Sequence, residues 1–282
     1  MSVVKSFVVT GASTGIGRAT ALALDRSGYR VFAGVRQTAA GDALRADASD
    51  RLEPVILDVT DEDSIAAAGQ RVADVVGDEG LAGLMNNAGI AVSGPLEFVP
   101  IADLRHQLEV NVVAQVAVTQ AFLPLLRKGR GRIVFTGSTS GFMALPLMGP
   151  YAMSKYAVEA MADALRVELR PWGIHVVVLQ FGVIKTPIWD KGLSAGDALI
   201  EQSPPEMTQL YGPAIDRMRE FAVDLERQGT PADIAARTAV RAFTARRPKA
   251  RYPSGKNSRL ERIMSLLPTP LRDYILARAL GI

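Results

Sequence analysis

Cysteine is absent from this chain of 282 residues, and histidine occurs only twice, at His106 and His175. Without cysteine the protein can form no disulfide, use no thiolate as a nucleophile and bind no metal through sulfur. Two histidines so far apart in the sequence do not give the spacing of a metal site. We therefore predict a functional site without metal ligands.

An excess of one charge and long apolar runs are also missing. The 32 basic and 29 acidic side chains give a formal net charge of +3, and 48% of the residues are hydrophobic, which is typical of a globular protein. No tract of Lys and Arg interleaved with aromatic residues precedes the C-terminal tail, so nucleic acid is not an expected partner. No apolar run reaches the roughly 18–20 residues that span a bilayer, and the first residues do not resemble a secretory leader. We expect a cytoplasmic protein without a transmembrane segment.

Short apolar segments recur along the chain and are typical of buried parallel strands. They fall at residues 6–10, 30–35, 53–57, 81–85, 132–136 and 174–180, with a further candidate at 250–253. Helical patterns between and after them include residues 64–76, 101–126 and 151–169. This alternation predicts an α/β fold, with right-handed crossovers between parallel strands. We expect one Rossmann-type domain over residues 1–282, a doubly wound sheet of about seven strands with helices on both faces.

A glycine-rich turn follows the first strand and leads into a helical segment. Gly11, Gly15 and Gly17 stand in the spacing G-x-x-x-G-x-G. Glycine lets the backbone turn tightly and approach a ligand closely, and the N-terminus of the next helix presents free N–H groups to a phosphate. The turn by itself fits either a pyrophosphate site or an ordinary connection between strand and helix.

The ends of the next strands carry residues that suit a dinucleotide. Arg36 follows the second strand, at the point where a site for NAD has an acidic residue that binds the ribose hydroxyls. An arginine can instead pair with a 2′-phosphate, which favours NADP(H) and leaves NAD(H) possible. Asp58 and Val59 end the third strand, where an adenine edge would lie, and Asn-Asn-Ala-Gly follows the fourth at residues 86–89.

Three side chains that can move a proton follow the fifth strand. Tyr151 and Lys155 are four residues apart, so on a helix they share one face. A neighbouring ammonium lowers the pKa of a phenol, and the hydroxyl of Ser138 can donate to a developing oxyanion. The sequence therefore predicts proton transfer to or from an oxygen atom by an acidified Tyr151.

Asn111 lies inside the helical pattern 101–126 among apolar neighbours. Asparagine in a helix interior lowers helix propensity. Such a residue is usually a core amide with satisfied hydrogen bonds. Here it can also mark a distortion of the helix that holds a water molecule.

The last third of the chain departs from the strand and helix alternation. Glycine and proline interrupt short helical pieces over residues 185–230, which we interpret as a lid over an apolar pocket. Thr230 is expected to cap the helix that follows. Residues 256–282 predict a pair of amphipathic helices that packs on the lid, mediates dimer contacts or touches a membrane surface.

The motifs together resemble those of the short-chain dehydrogenases/reductases, over roughly residues 5–190. TGASTGIG at 10–17 is similar to the family's TGxxxGxG, NNAG at 86–89 to its motif after the fourth strand, and Asn111, Ser138, Tyr151 and Lys155 to its tetrad. The resemblance implies that the cofactor is bound by Gly11, Ser13, Thr14, Gly15, Ile16, Gly17, Arg36, Asp58, Val59, Asn87, Ala88, Gly89, Tyr151, Lys155, Gly182, Ile184 and Thr186.

Two departures from the family pattern affect the cofactor site. Phe181-Gly182 replaces the usual Pro-Gly after the sixth strand, and Thr14 stands where a basic residue usually precedes the second glycine of the turn. The prediction of NADP(H) therefore rests on Arg36 alone.

The resemblance implies an oxidoreductase that transfers hydride between NADP(H) and a carbonyl or alcohol. Tyr151 would exchange the proton, Ser138 would hold the oxygen, Lys155 would bind the ribose and acidify Tyr151, and Asn111 would fix a relay water. The branch that handles retinoids, steroids and other lipophilic alcohols or ketones is the most similar one, which implies a retinoid-, steroid- or lipid-like substrate.

Two other functions stay open at this point. The chain could be a catalytically silent dinucleotide-binding sensor or scaffold, or it could catalyse a non-redox reaction on the same fold. The resemblance also implies a homodimer or homotetramer, because the helices within residues 103–126 and 151–169 correspond to those of the family's dimer interface.

Overall fold

The computed structural model describes residues 4–281, and its centre is a seven-stranded sheet in which every neighbouring pair of strands is parallel. The strand order is β3-β2-β1-β4-β5-β6-β7. The strands are β1 (Ser6–Val9), β2 (Arg30–Val35), β3 (Leu52–Ile56), β4 (Gly83–Asn86), β5 (Arg132–Ser138), β6 (His175–Phe181) and β7 (Arg251–Ser254). The predicted fold class is confirmed, and each predicted strand lies within two residues of its observed bounds.

Helices cover both faces of this sheet and form most of the C-terminal third of the chain, which also contains β7. The helices are α1 (Gly15–Arg26), α2 (Thr38–Arg45), α3 (Glu62–Val76), α4 (Ile101–Leu108), α5 (Ala114–Gly129), α6 (Gly149–Glu168), α7 (Ile188–Gln202), α8 (Pro205–Gln228), α9 (Ala232–Thr244), α10 (Ser258–Met264) and α11 (Thr269–Leu280). A π-helical turn, Glu109–Val113, joins α4 to α5.

The core is divided into two layers by the alternation of side chains along the strands. In β1, Val8 faces the layer that contains α3, α5 and α6, whereas Phe7 and Val9 face the layer that contains α1 and α9. Successive side chains of a strand point to opposite faces of a sheet. Because both faces are covered, a central strand such as β1 is buried at every position and apolar at three of its four, which is why these segments were predictable.

The combined helical stretch Ile101–Gly129 is the one part of the described chain that is long and apolar enough to cross a membrane by length and composition. The sequence expectation did not include it, because polar residues such as Asn111, Gln115 and Thr119 interrupt the apolar run. Those three side chains are buried, as are Phe122 and Leu126 on the same stretch. The stretch therefore forms part of the layer that packs on the sheet.

The segment 185–230 is more regular than its glycine and proline content predicted. It forms two long helices, α7 of 15 residues and α8 of 24 residues, in place of short helical pieces. Pro205 begins α8, where its missing N–H removes no hydrogen bond, and Pro213 is accommodated inside the helix. The expectation that Thr230 caps α9 is also wrong. Its hydroxyl accepts a hydrogen bond from the Lys256 N–H at 3.0 Å.

Candidate active site

The site lies where the strand order reverses, between the carboxyl ends of β1 and β4, which is where open α/β sheets bind ligands. The Thr10 hydroxyl accepts hydrogen bonds from the N–H groups of Asn87 (2.9 Å) and Ala88 (3.0 Å). The Asn87 side-chain amide donates to the carbonyls of Thr10 (2.9 Å) and Gly11 (3.2 Å). These bonds fix the glycine turn against the end of β4.

The glycine turn is packed so closely that two of its positions accept no side chain. Gly11 has φ +62°, and a methyl group there would lie 2.9 Å from the Ala88 Cα. A methyl group at Gly17 would lie 2.3 Å from the Gly11 carbonyl oxygen and 2.4 Å from the Asn87 Nδ2. The sequence motif therefore corresponds to a real steric requirement.

The start of α1 presents free N–H groups beside this turn. Thr14 precedes the helix in an extended conformation and makes no side-chain cap. The first N–H groups of a helix have no partner within the helix and attract anions. Ser13, Thr14, Gly15 and Ile16 are exposed or partly exposed here. The turn and helix start thus fit the pyrophosphate of a dinucleotide.

The carboxyl ends of β2 and β3 lie beside the glycine turn, at the same edge of the sheet. Arg36 is exposed directly after β2, and Val59 is buried. The Thr60 N–H, the Thr60 hydroxyl and the charge of Arg36 hold the pKa of Asp58 below its usual value. A carboxylate and a guanidinium are therefore both charged beside the predicted adenosine position.

Of the three predicted cofactor residues after β6, Thr186 lies against the glycine turn, whereas Gly182 and Ile184 pack against other segments. A methyl group at Gly15 would lie 3.2 Å from Thr186 Cγ2, so Thr186 closes on the turn from the other side. Gly182 adjoins the Lys256 backbone, where a methyl group would clash with the carbonyl. Ile184 is buried, and its carbonyl accepts a hydrogen bond from the Trp189 indole at 2.8 Å.

Ser138, Tyr151 and Lys155 are brought together by β5 and α6. Ser138 is the last residue of β5, and Tyr151 lies in the first turn of α6. The Ser138 side chain is near enough to the Tyr151 phenol to lower its pKa. The Lys155 Nζ lies 5.5 Å from the centre of the Tyr151 ring, on the same side of the helix as the sequence spacing predicted.

The pKa of Tyr151 differs from the sequence expectation. Burial raises it above its ordinary value of 10.0, and the hydrogen bond with Ser138 lowers it only in part. The predicted acidification by Lys155 is therefore wrong in this structure. The reason is that desolvation disfavours the phenolate, while the ammonium of Lys155 is directed to another acceptor. Tyr151 consequently holds its proton at neutral pH.

The Lys155 ammonium donates its hydrogen bond to the backbone of β5. The Lys155 side chain is buried, and its Nζ donates to the Thr136 carbonyl at 2.7 Å. Burial lowers the pKa of Lys155 from 10.5 to about 8. The amine is thus still protonated at neutral pH but loses its proton far more readily than a solvated lysine.

Asn111 sits in the π-helical turn between α4 and α5, so the predicted helix distortion is present. Its Oδ1 accepts from the Ile90 N–H at 2.9 Å, and its Nδ2 donates to the Ile90 carbonyl and the Ser154 hydroxyl, both at 3.0 Å. The side chain therefore fixes the segment that follows β4 against α6. The relay water stays a prediction.

Several residues of the site were missed by sequence reasoning. Gln107 binds the backbone of both Ile90 and Val92, at 3.0 and 2.6 Å. Thr136 donates from its hydroxyl to the Asn87 Oδ1 at 3.2 Å. Neither residue stands in a pattern that distinguishes it from a core polar residue, whereas Thr10 begins the glycine motif but was not assigned a role.

Glu159 is a further missed residue, one turn after Lys155 on α6. Its carboxylate accepts from the Gln180 Nε2 at 2.7 Å and from the Arg251 Nε at 2.8 Å. These two bonds tie the helix that carries Tyr151 to β6 and β7. They act on the position of α6 rather than on a reacting atom.

Comparisons with known proteins agree with this geometry. The family model for short chain dehydrogenases matches residues 5–195. An NADPH-dependent 3-dehydrocapnine reductase from Ornithobacterium rhinotracheale is 38% identical, over 95% of this chain and 94% of that protein. Retinol dehydrogenase 7 from Rattus norvegicus is 38% identical, over 96% of this chain and 87% of that protein. A solved short-chain dehydrogenase from Streptomyces avermitilis has a TM-score of 0.76 at 27% identity and covers 99% and 96% of the two chains.

The chain belongs to the short-chain dehydrogenase family, which confirms the resemblance seen in its motifs. It is similar to the branch that includes retinol and steroid dehydrogenases. The protein is accordingly an oxidoreductase that acts on a CH–OH group or the corresponding carbonyl.

A pair of glycine substitutions tests the packing of the turn. Gly17→Ala is expected to weaken NADPH binding at least tenfold and to lower the free energy of unfolding, because the methyl group meets the Gly11 carbonyl. Gly69→Ala, in α3 with open space around it, is the control and is expected to raise the free energy of unfolding by about 1 kcal/mol. Both are measured by urea unfolding and NADPH titration. Wild-type NADPH affinity in Gly17→Ala would contradict the steric argument.

The burial of Lys155 predicts a pH dependence of stability. Because its folded pKa of about 8 lies below the unfolded value, the unfolded chain binds more protons between pH 8 and 10.5, and stability rises with pH there. Relative to Lys155→Met, the wild type should gain on the order of 3 kcal/mol over this window. Denaturant unfolding of both proteins across the window measures the difference. A difference that stays constant with pH would show that the amine is not desolvated.

Proposed function

We propose that this protein is an NADP(H)-dependent oxidoreductase that interconverts a carbonyl and an alcohol in an apolar substrate. The observation that carries the proposal is the convergence of Ser138, Tyr151 and Lys155 at the edge of the sheet that also holds the closely packed glycine turn. A bound nicotinamide supplies or accepts the hydride in this chemistry.

The chain's own residues manage the proton and the oxygen. In reduction, Tyr151 donates its proton to the substrate oxygen, and its raised pKa keeps that proton available at neutral pH. Ser138 donates a hydrogen bond to the same oxygen as negative charge develops. Lys155, charged at neutral pH and fixed by Thr136, provides the positive charge beside Tyr151 and the ribose position. Oxidation follows the same path in reverse.

The cofactor is NADP(H), with NAD(H) as a weaker alternative. Arg36 lies exposed after β2, at the position that faces the adenosine ribose in such folds. The similar reductase from Ornithobacterium rhinotracheale is named as NADPH-dependent, and a similar solved structure from Burkholderia phymatum is a complex with NAD. The cofactor set is that of Gly11, Ser13, Thr14, Gly15, Ile16, Gly17, Arg36, Asp58, Val59, Asn87, Ala88, Gly89, Tyr151, Lys155, Gly182, Ile184 and Thr186.

The substrate is apolar, of a retinoid, steroid or lipid type. The lid, α7 and α8, contacts the segment 91–100 through apolar side chains and one polar bond. Leu199 of α7 adjoins Gly94, while Tyr211 of α8 stacks edge-on against Phe98 and donates to the Glu97 carboxylate at 2.7 Å. Leu96 in turn adjoins Gly149, which begins the helix that carries Tyr151. Apolar contacts thus lead from the lid to the start of the helix that carries Tyr151.

The protein assembles as a homodimer or homotetramer in the cytoplasm. Apolar side chains are exposed on the two helices that the sequence assigned to an interface, with Val113 and Val116 at the start of α5 and Met153 and Tyr156 on α6. The stretch Ile101–Gly129 serves as a core helix rather than a transmembrane segment, since its buried side includes Asn111, Gln115 and Thr119 together with Phe122 and Leu126.

Replacement of Tyr151 tests the catalytic role. Tyr151→Phe should lower kcat about 10²–10⁴-fold, because the proton donor is removed while the ring remains. Tyr156→Phe, on the exposed side of the same helix, is the control and should keep wild-type activity. Nicotinamide absorbance with a panel of apolar ketones and alcohols gives the rate.

The same assay distinguishes the proposed oxidoreductase from the two other functions that the sequence left open. Full turnover by Tyr151→Phe would overturn the mechanism. NADPH binding without turnover of any substrate would favour a sensor or scaffold, and conversion of substrate without net oxidation of NADPH would favour a non-redox reaction.

Replacement of Arg36 tests the cofactor preference. Arg36→Gln should raise the KM for NADPH about tenfold and leave the KM for NADH unchanged, because only NADPH carries the 2′-phosphate that the guanidinium pairs with. Arg45→Gln, an exposed arginine at the end of α2, is the matched control. An equal rise in the KM values for NADPH and NADH would show that Arg36 does not bind the 2′-phosphate.

A further inference from the structure

A pocket opens at the amino-terminal edge of the sheet, on the side of the molecule opposite the candidate active site. It lies between the end of α6, the start of β6 and the loop before β7, and its volume of about 350 Å³ is within the range of small-molecule sites. Tyr151 stands in the first turn of α6 and Arg166 near its end, roughly 22 Å further along the helix. The pocket is therefore separate from the proposed cofactor site. We name it the basal pocket and define it by Arg166, Arg170, Ile174, Val176, Pro248 and Lys249.

The main chain of β6 has an unpaired N–H group at the basal pocket. β7 pairs with β6 from Val178 onward, where the Val178 N–H donates to the Ala250 carbonyl at 2.9 Å. Val176 lies two residues earlier and its backbone groups face the same side of the strand. Within residues 4–281, however, the Val176 N–H donates to no carbonyl of the loop before β7. Because a backbone N–H is a strong donor that normally has a partner, the start of β6 offers a hydrogen bond to a molecule in the pocket.

The guanidinium of Arg166 adds further donors beside Val176. Its Nη1 donates to Asp163 Oδ1 at 2.6 Å, and its Nε donates to the Val176 carbonyl at 3.4 Å. Its Nη2 is buried and has no hydrogen-bond partner within the described chain. A buried donor without a partner is unfavourable. An acceptor atom supplied by a ligand would therefore stabilise this arrangement.

Two more cations line the basal pocket, Arg170 in the turn after α6 and Lys249 before β7. Both side chains are exposed. They stand in a basic part of the surface, since residues 237–251 contain six basic and no acidic side chains. The pocket therefore combines backbone and guanidinium donors with two solvent-accessible positive charges.

The other charged groups around the basal pocket balance one another. Three ion pairs share two arginines and two carboxylates, namely Arg166–Asp163, Arg251–Asp163 and Arg251–Glu159. Glu168 of α6 is exposed and does not line the pocket. His175 does line it, but burial and the charge of Arg132 lower its pKa below 6.5, so it is neutral at pH 7. The positive charges of Arg170 and Lys249 therefore stay unbalanced.

We propose that the basal pocket binds a phosphate monoester, a small organic molecule with a terminal phosphate group. Near neutral pH this group carries a charge of about −1.5 to −2 and three acceptor oxygens. The charge matches the two unbalanced cations, and the oxygens match the N–H groups of Val176 and Arg166. Charge-assisted hydrogen bonds of this kind are about twice as strong as neutral ones. The volume of the pocket leaves room for the organic part of the molecule beside Ile174 and Pro248.

The phosphate backbone of a nucleic acid is a less suitable occupant. Nucleic-acid backbones are contacted by basic side chains that protrude from the surface, such as the exposed Arg246 and Arg247 next to the pocket. The Val176 N–H instead lies at a strand edge within a recess, and the Arg166 Nη2 is buried. These donors are placed for a small ligand rather than for a duplex.

Calorimetry with phenyl phosphate tests the proposal. The protein is saturated with NADPH, so that the phosphate groups of the cofactor already occupy the proposed cofactor site. We expect phenyl phosphate to bind with a Kd of about 1 mM or below, and benzenesulfonate, with a single negative charge, to bind several-fold more weakly. No binding of phenyl phosphate in this range would overturn the proposal, and so would equal affinity for the two probes.

Two double variants with the same change of charge locate the binding site. Arg170→Gln with Lys249→Gln removes the unbalanced cations and should weaken phenyl phosphate binding about tenfold or more. Arg246→Gln with Arg247→Gln removes two exposed cations outside the pocket and should bind like the wild type. An equal loss of affinity in both variants would show a diffuse attraction by the basic region, and the proposal would be wrong.

The amide of Val176 gives a signal from the pocket itself. In isotope-labelled protein its NMR resonance should shift on titration with phenyl phosphate, whereas that of Val158, buried in the middle of α6, should not. If the Val176 resonance stays unchanged while calorimetry records binding, the probe is bound elsewhere and the proposal is contradicted.

The same samples control for folding and for the alternative occupant. Both double variants should unfold at the urea concentration that unfolds the wild type, because the side chains they replace are exposed. If a short DNA duplex binds the NADPH-saturated protein and phenyl phosphate does not, the basic region is a nucleic-acid surface and the proposal is wrong. The binding measurements do not depend on turnover, so their failure would leave the proposed activity unaffected.

Discussion

A buried ammonium at the end of β5 is the constraint on which the arrangement of the site depends. Lys155 donates to the Thr136 carbonyl, and the Thr136 hydroxyl donates to Asn87. The Asn87 amide continues to the carbonyls of Thr10 and Gly11. A continuous series of hydrogen bonds thus joins the Lys155 amine to the glycine turn. The part of the site proposed to bind the cofactor and the part proposed to transfer the proton therefore belong to the same network.

Burial of the charged Lys155 amine in this network lowers the stability of the folded protein. Desolvation lowers the pKa of Lys155 to about 8, which corresponds to an unfavourable term on the order of 3 kcal/mol at neutral pH. A buried methionine would remove that term. A buried charge of this kind is typical of functional sites, where groups with perturbed pKa values concentrate. The close packing of Gly17 against Asn87 restricts the site further, because it leaves no room for the glycine turn to move away from the Lys155 amine.

Much of the fold, and the position of the predicted catalytic residues at one place in it, could be predicted from the sequence. Strands buried on both faces are almost uniformly apolar, so β1 and β2 stand out, and the spacing of Tyr151 and Lys155 places them on one side of α6. The pKa of Tyr151 could not be predicted. Its direction depends on how deeply the phenol is buried and on where the lysine amine points, and both are set by contacts between distant segments.

The lengths of the helices in residues 185–230 could not be predicted from the sequence either. Glycines and prolines in residues 185–230 suggested short helical pieces, yet α7 and α8 are long. Helix propensity is a weak term that packing overrides. The buried Met207 and Ala214 of α8 and the bonds between α8 and residues 97–98 supply that packing. None of these partners can be identified from local composition.

The orientation of the C-terminal helices could not be predicted, because their pattern of apolar and polar residues does not indicate which side faces the protein. In α10 the polar side faces inward, since Glu261 and Arg262 meet Thr139 and Phe142 in the turn after Ser138. One short helix therefore connects the turn of the reactive serine with the most exposed apolar side chains of the described chain's C-terminal region.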